Sequence, residues 1–187
     1  MKTLSRRRLL LGATLLAATG ARAQSPAATG VPPELTGALT GARLQGAATL
    51  RFFGLRVYDA RLWVGGPPPG ADWVASPFAL ELQYARSLKG EQIAERSLVE
   101  MRRQGAIADA VAERWLGNMK QLFPDVDAGH RITGLNLPGT GARFFVNGSP
   151  RGEPREVDFA RMFFGIWLSP RTSEPAMREQ LLGLKAS

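Results

Sequence analysis

The 187-residue chain contains no cysteine and a single histidine, His130. The absence of cysteine excludes disulfide bonds, thiol catalysis and thiolate metal sites. One histidine cannot build a histidine-based metal cluster, and a Ser-His-Asp triad would have to use His130. That residue lies between Gly129 and Arg131 in a sequence typical of a turn, so we expect a solvated turn histidine. The sequence therefore predicts no metal site and no cofactor.

Long apolar runs are scarce, and the clearest one lies close to the N-terminus. The run from Leu9 to Ala18 follows a basic stretch, and Ala21-Arg22-Ala23 precedes Gln24. This arrangement is typical of a cleavable secretory signal, and the run is too short to anchor the chain across a bilayer. The basic stretch also resembles a twin-arginine export signal, so both the Tat and the Sec route remain open. We expect a signal peptide over residues 1–23, a periplasmic or secreted location, and no membrane span in the mature chain.

Basic residues exceed acidic ones, but much of the excess lies in this leader. Cleavage after Ala23 would lower the net charge from +8 to +3, because the leader carries five basic residues and no acid. The charge that remains is spread along the chain and forms no dense basic stripe. This distribution argues against nucleic acid as a partner.

The mature chain has the length of one domain. Residues 25–33 are rich in alanine, proline and glycine, and we expect a disordered lead-in over residues 24–40. One domain then covers residues 41–187.

Apolar alternation changes phase within the segment Leu50–Val64. The apolar positions are odd from Phe53 to Val57 and even from Tyr58 to Val64. Because side chains alternate between the two faces of a strand, this change requires a bulge or a bend, and we expect two short strands joined by a bend. The same segment places Arg51 beside two phenylalanines. That arginine either holds an anionic group at the opening of an apolar cleft, extends into water, or pairs with Asp59 or Glu81.

The rest of the chain reads as strands and helices in separate groups. Alternation predicts a strand over residues 78–84, and residues 131–137 and 142–146 read as two more strands, the second ending in a type I′ hairpin turn at Asn147-Gly148. Helical spacing predicts helices over 90–105, 107–122 and 158–168, and a last helix capped by Thr172 or Ser173 that ends before Gly183. This order points to an α+β layer fold with an antiparallel sheet.

Five segments together resemble the chalcone isomerase-like family, in particular its bacterial exported branch. The resemblance spans residues 40 to 184 and rests on Leu50–Trp63, Pro77–Leu82, Ile93–Ser97, Phe145–Gly148 and Phe163–Pro170. It implies an open-faced β-sandwich, in which helices are layered on a large antiparallel sheet.

The resemblance also bears on the site. In the plant enzymes of this family an arginine near the start of the sheet binds the oxygen of the ligand, and Arg51 corresponds to it. On the following helix a tyrosine, a lysine and an asparagine contribute, and the matching positions here are Ile93, Arg96 and Glu100. Since isoleucine donates no hydrogen bond, the catalytic helix is not reproduced. The family also contains members that hold fatty acids without catalysis.

Three functions follow as hypotheses. The first is an exported domain that binds a small amphipathic acid, either a fatty acid or an aromatic acid. The second is an isomerase or intramolecular lyase with Arg51 as electrophile and Glu100 as general base, against an exposed Glu100 that pairs with Arg103. The third is an envelope module that docks on an unidentified protein through Phe163, Phe164 and Trp167, which would otherwise be core. The predicted ligand contacts are Arg51, Phe52, Phe53, Tyr58, Ile93 and Arg96.

Overall fold

The computed structural model describes residues 30–184, and the predicted signal peptide lies outside them. The described residues form one six-stranded antiparallel sheet, in which the strands are neighbours in chain order, and four helices. This architecture confirms the predicted α+β fold. The elements are β1 (Arg43–Phe52), β2 (Leu55–Val64), β3 (Phe78–Tyr84), α1 (Gly90–Gln104), α2 (Asp109–Leu122), β4 (Arg131–Leu137), β5 (Gly141–Val146), β6 (Ser149–Gly152), α3 (Val157–Leu168) and α4 (Pro175–Leu182).

The helices cover one face of the sheet and bury the main core. Along β3 the alternate residues Phe78, Leu80, Leu82 and Tyr84 pack into this core, as their alternation predicts. The aromatic residues of α3 pack there with their rings mostly edge to face. This packing leaves Phe163, Phe164 and Trp167 only 5%, 0% and 6% exposed, so the predicted docking surface is wrong and these residues are core.

The opposite face of the sheet is covered by the segment that precedes β1. Leu35 and Leu39 are buried there against Trp63, within a second, smaller apolar cluster. The lead-in predicted over residues 24–40 is therefore ordered where these leucines dock, because an apolar sheet face is available to them. Glu81 lies on the same face, and its carboxylate accepts hydrogen bonds from Trp63 Nε1 and Arg61 Nη1, both at 2.8 Å.

A tight hairpin with a bulge joins β1 to β2. The turn lies at Phe53-Gly54, and β1 begins at Arg43, seven residues before the predicted start at Leu50. Leu50 pairs with Tyr58, whereas Arg51 pairs with Arg56, so Val57 is the extra residue of the bulge. The change of phase in the sequence is thus a bulge inside β2. The prediction of two short strands joined by a bend at this point is wrong, because β2 continues through the bulge and the hairpin turn lies earlier, at Phe53-Gly54.

The remaining helix ends differ from the predictions by a few residues. α1 and α2 lie where helical spacing predicts them. The residue that precedes α3 is Glu156 rather than Asp158, and α4 follows Glu174 rather than Thr172 or Ser173. Gly183 ends α4 in the left-handed conformation, as predicted. Within residues 30–184, no helix is long and apolar enough to cross a membrane.

Candidate functional site

A cavity of about 370 Å³ lies between the sheet and helices α1 and α3, beside the β1–β2 hairpin. Its interior is apolar, and the exposed residues Phe52, Arg86, Gln92, Arg96 and Glu174 mark its opening. The lining residues are Leu50, Phe52, Val57, Tyr58, Leu82, Tyr84, Arg86, Leu88, Gln92, Ile93, Arg96, Ser97, Glu100, Phe123, Ile132, Phe163, Ile166, Trp167, Ser173 and Glu174.

Strand parity decides which residues of β1 reach the cavity. Leu50 and Phe52 line it, whereas Arg51, between them, points to the other face of the hairpin and Phe53 lies in the turn. The Arg51 side chain is exposed and donates a hydrogen bond to the Gly54 carbonyl at 3.3 Å. The structure therefore brings Phe52 into the site but leaves out Arg51 and Phe53.

The pairings predicted as alternatives for Arg51 are also absent from residues 30–184. Asp59 pairs instead with Arg56, its neighbour on the same strand. Glu81 pairs with Arg61, which lies opposite it on β2. Local partners thus occupy both carboxylates.

Tyr58 supplies a hydrogen-bond donor to the sheet side of the cavity. The bulge lets Val57 and Tyr58 both line it although they are consecutive. Tyr58 Oη accepts a hydrogen bond from Trp167 Nε1 at 3.0 Å, and no acceptor for its proton lies among residues 30–184. Burial holds the pKa of Tyr58 well above its usual value, so the hydroxyl stays protonated. The group can donate to a ligand oxygen in the cavity.

Helix α1 presents the face that carries Ile93, Arg96 and Glu100 to the cavity, because residues three and four apart share one helix face. Ile93 and Arg96, two of the predicted ligand contacts, line the cavity. Glu100 lines it as well and is only 7% exposed, so the alternative of an exposed Glu100 is wrong. Its two carboxylate oxygens lie 2.6 Å from Arg96 Nη2 and 3.5 Å from Arg103 Nε. The pairing with Arg103 was predicted, whereas the burial follows from the packing of α1 on the sheet.

Sequence reasoning missed Arg86, which follows β3. The row Leu82, Tyr84, Arg86 keeps the parity of the buried face, and this continuation was the available signal. Arg86 is exposed at the opening, and no carboxylate of residues 30–184 forms a salt bridge with it. Its guanidinium is therefore available to an anion at the end of the cavity. Glu100 and the exposed Glu174 are the two acidic residues of the lining.

His130 lies outside the cavity. Its Nδ1 accepts a hydrogen bond from the Asp127 amide at 3.1 Å, which confirms the predicted turn histidine. Among the described residues, no group of three or more metal-ligating side chains could hold a metal ion. The cavity thus offers an apolar interior, a neutral hydroxyl donor and, at its opening, two arginines and Glu174.

Comparison with known proteins identifies the family. A family model described as chalcone isomerase-like matches residues 26–183. The chain belongs to the chalcone isomerase-like family. An uncharacterized protein of Haemophilus influenzae is 27% identical to it over 107 residues, which are 57% of this chain and 52% of that protein. The chain thus matches about half the length of that relative.

A solved structure shows the same fold. The crystal structure of an Arabidopsis thaliana fatty-acid binding protein superimposes with a TM-score of 0.57, over 76% of this chain and 87% of that one. The two sequences are 14% identical, so this likeness concerns the chalcone isomerase-like fold alone.

Proposed function

We propose that this chalcone isomerase-like protein binds a small amphipathic acid, with the apolar part in the cavity and the acid group at Arg86 and Arg96. The observation that carries the proposal is Arg86, a cation at the opening of an apolar chamber with no carboxylate partner among residues 30–184. A guanidinium binds a carboxylate through two parallel hydrogen bonds. The fatty-acid binding protein of the same fold supports this class of ligand.

The size and the wall of the cavity support a ligand of this kind. A volume of about 370 Å³ is near the lower end of the roughly 300–1,000 Å³ of small-molecule pockets, and it suits one small ligand. Leu82, Ile132 and Phe163 supply an apolar interior. Tyr58, with its free hydroxyl proton, is placed to donate to a second oxygen of the ligand.

The test is calorimetric titration of the protein with dodecanoic acid and with dodecanol, which share the alkyl chain but differ in charge. We expect Arg86→Met to weaken binding of the acid by about tenfold, because a charge-assisted hydrogen bond is lost. Binding of dodecanol should not change. Arg43→Met is the matched control, since this exposed arginine begins β1 at the far end of the strand from the hairpin.

Three outcomes of this titration would contradict the proposal. Unchanged affinity of Arg86→Met for dodecanoic acid would exclude Arg86 as the anion anchor. A loss of affinity for dodecanoic acid in Arg51→Met but not in Arg86→Met would show that Arg51, the residue favoured by the family resemblance, binds the acid group. Failure of the wild-type protein to bind either compound would exclude the ligand class.

One observation favours the isomerase alternative. Glu100 is buried in the lining, where a carboxylate is able to take a proton from a bound carbon acid while Tyr58 donates to the developing oxyanion. Against it, Arg96 and Arg103 already hold both carboxylate oxygens. Turnover of an enone by the wild-type protein, lost in Glu100→Gln, would establish this alternative.

Export is a separate proposal that rests on residues 1–23. The basic stretch, the apolar run and the small residues before Gln24 support cleavage near Ala23 and a periplasmic or secreted protein. N-terminal sequencing of the protein recovered from the producing cell tests it. A mature chain that begins near Gln24 is expected, and an intact Met1 would contradict export by cleavage.

A further inference from the structure

The two tight hairpins of the sheet make the same turn with different residues. In the β5–β6 hairpin, Asn147 and Gly148 have φ values of 50° and 84°. In the β1–β2 hairpin, Phe53 and Gly54 have φ values of 48° and 77°. Positive φ at both positions defines a type I′ turn, for which Asn-Gly is strongly preferred. A phenylalanine in this conformation is an outlier that costs stability.

Packing of the Phe53 side chain does not offset this loss of stability. Phe53 is 90% exposed, and its ring contacts that of Phe52 at a centroid distance of 4.5 Å. Phe52 and Leu55 are themselves 63% and 59% exposed. These three residues form a contiguous apolar surface at the end of the hairpin, which we call the hairpin tip. Exposed apolar patches of this kind mark interaction sites.

Two arginines flank the hairpin tip in sequence, and a third lines the same cavity as Phe52. The flanking residues are Arg51 and Arg56, and Arg86 lies at the cavity opening that Phe52 also lines. Arg56 is paired with Asp59, whereas Arg51 and Arg86 form no salt bridge within residues 30–184. Aromatic and leucine side chains beside arginines are the combination that binds the interface of a membrane with anionic lipids.

We propose that the hairpin tip docks on an anionic lipid bilayer. Phe53 and Leu55 enter the boundary between headgroups and acyl chains, and Arg51 lies against the lipid phosphates. Since Phe52 belongs both to the tip and to the cavity lining, docking brings the cavity opening to the bilayer surface. The inference needs no ligand in the cavity and is tested independently of one.

The test places a fluorescent reporter on the tip of the full chain through Phe53→Trp. The four native tryptophans are all buried, so the introduced side chain is the one that an aqueous quencher reaches readily. Ala71→Trp is the matched control, because Ala71 is exposed in the loop between β2 and β3, at the opposite end of the sheet. Vesicles of phosphatidylglycerol and phosphatidylcholine in equal parts are compared with vesicles of phosphatidylcholine alone. A reporter on the tip also separates this docking from any insertion of the apolar run near the N-terminus.

We expect the anionic vesicles to shift the emission of Phe53→Trp to shorter wavelength and to remove its quenching by acrylamide. The neutral vesicles should have much less effect, and Ala71→Trp should show none. Adding Arg51→Gln to Phe53→Trp should raise the lipid concentration for half-maximal protection by about fivefold, the value of one arginine near an anionic surface.

Three results would overturn the inference. Quenching of Phe53→Trp that vesicles leave unchanged would exclude bilayer docking and leave the hairpin tip to a protein partner. Protection without vesicles, rising with protein concentration, would show that a second copy of the chain covers the tip. Equal protection of Phe53→Trp and Ala71→Trp would show adsorption of the whole surface rather than docking through the tip.

Discussion

Replacing Glu100 with glutamine tests whether Glu100 and an acidic ligand compete for Arg96. Glu100→Gln keeps the size of the side chain and one carbonyl oxygen but removes the negative charge. In the wild-type protein the carboxylate lies 2.6 Å from Arg96 Nη2. Because 69% of the Arg96 side chain is exposed, solvent screens this pair and it contributes at most about 1 kcal/mol.

That energy sets the expected gain in ligand affinity. In Glu100→Gln, no carboxylate of the protein competes with an acidic ligand for Arg96 at this position. Dodecanoic acid should therefore bind about fivefold more tightly. Binding of dodecanol should not change, since it carries no charge. Both affinities are measured by calorimetric titration.

The control uses a carboxylate of the same helix that lies outside the cavity. Glu95 is paired with Lys120 at 3.1 Å, so Glu95→Gln also removes one negative charge and one ion pair from α1. It should leave the affinity for dodecanoic acid unchanged. Weaker binding of the acid by Glu100→Gln, with dodecanol unaffected, would refute the reasoning, because the ligand and Glu100 would then not compete for Arg96.

Two further predictions concern packing and burial. Gly90→Ala should destabilise the protein by about 1–3 kcal/mol in urea unfolding, because the added Cβ would meet the Phe123 carbonyl. Gly117→Ala should stabilise it by about 0.5–1 kcal/mol, because the Cβ position at this residue of α2 is open space. Burial raises the pKa of both tyrosines, Tyr58 and Tyr84, so near-ultraviolet absorbance at about pH 11 should show no tyrosinate while the protein is folded. Because both pKa values are higher in the folded state, stability falls as the pH rises above about 10, the ordinary tyrosine value, and tyrosinate appearing before unfolding would contradict this burial.

Local sequence patterns predicted the elements whose burial follows a simple period. β3 has the predicted bounds because large apolar residues alternate along it, and β4 also has the predicted bounds, although it is buried at consecutive positions from Ile132 to Asn136. The N-terminal half of β1 was missed, since Arg43 to Thr49 contains no such alternation. It is a strand because it pairs with β2 and because α4 packs on it, where Gly46 leaves room for the Gln180 carbonyl.

The candidate site was predictable where one helix face carries it and not where two elements meet. Spacing along α1 and the family resemblance led to Ile93 and Arg96, and both line the cavity. The resemblance also led to Arg51, which points away from the cavity because its neighbours Leu50 and Phe52 on the strand point into it. Arg86 escaped notice because it follows the end of a strand, where the predicted pattern stops.

By itself the amino-acid sequence determined the layered α+β fold, because the periods of its strands and helices lie within single segments. It also determined the family and the candidate residues of α1, through the five segments that carry the resemblance. Only the tertiary structure decided which arginines face the cavity and that Glu100 is buried. The bulge at Val57 directs two consecutive residues of β2 into the cavity, and the packing of α1 and α3 on the sheet encloses it. These features depend on contacts between segments far apart in the chain, so the pattern within a single segment does not predict them.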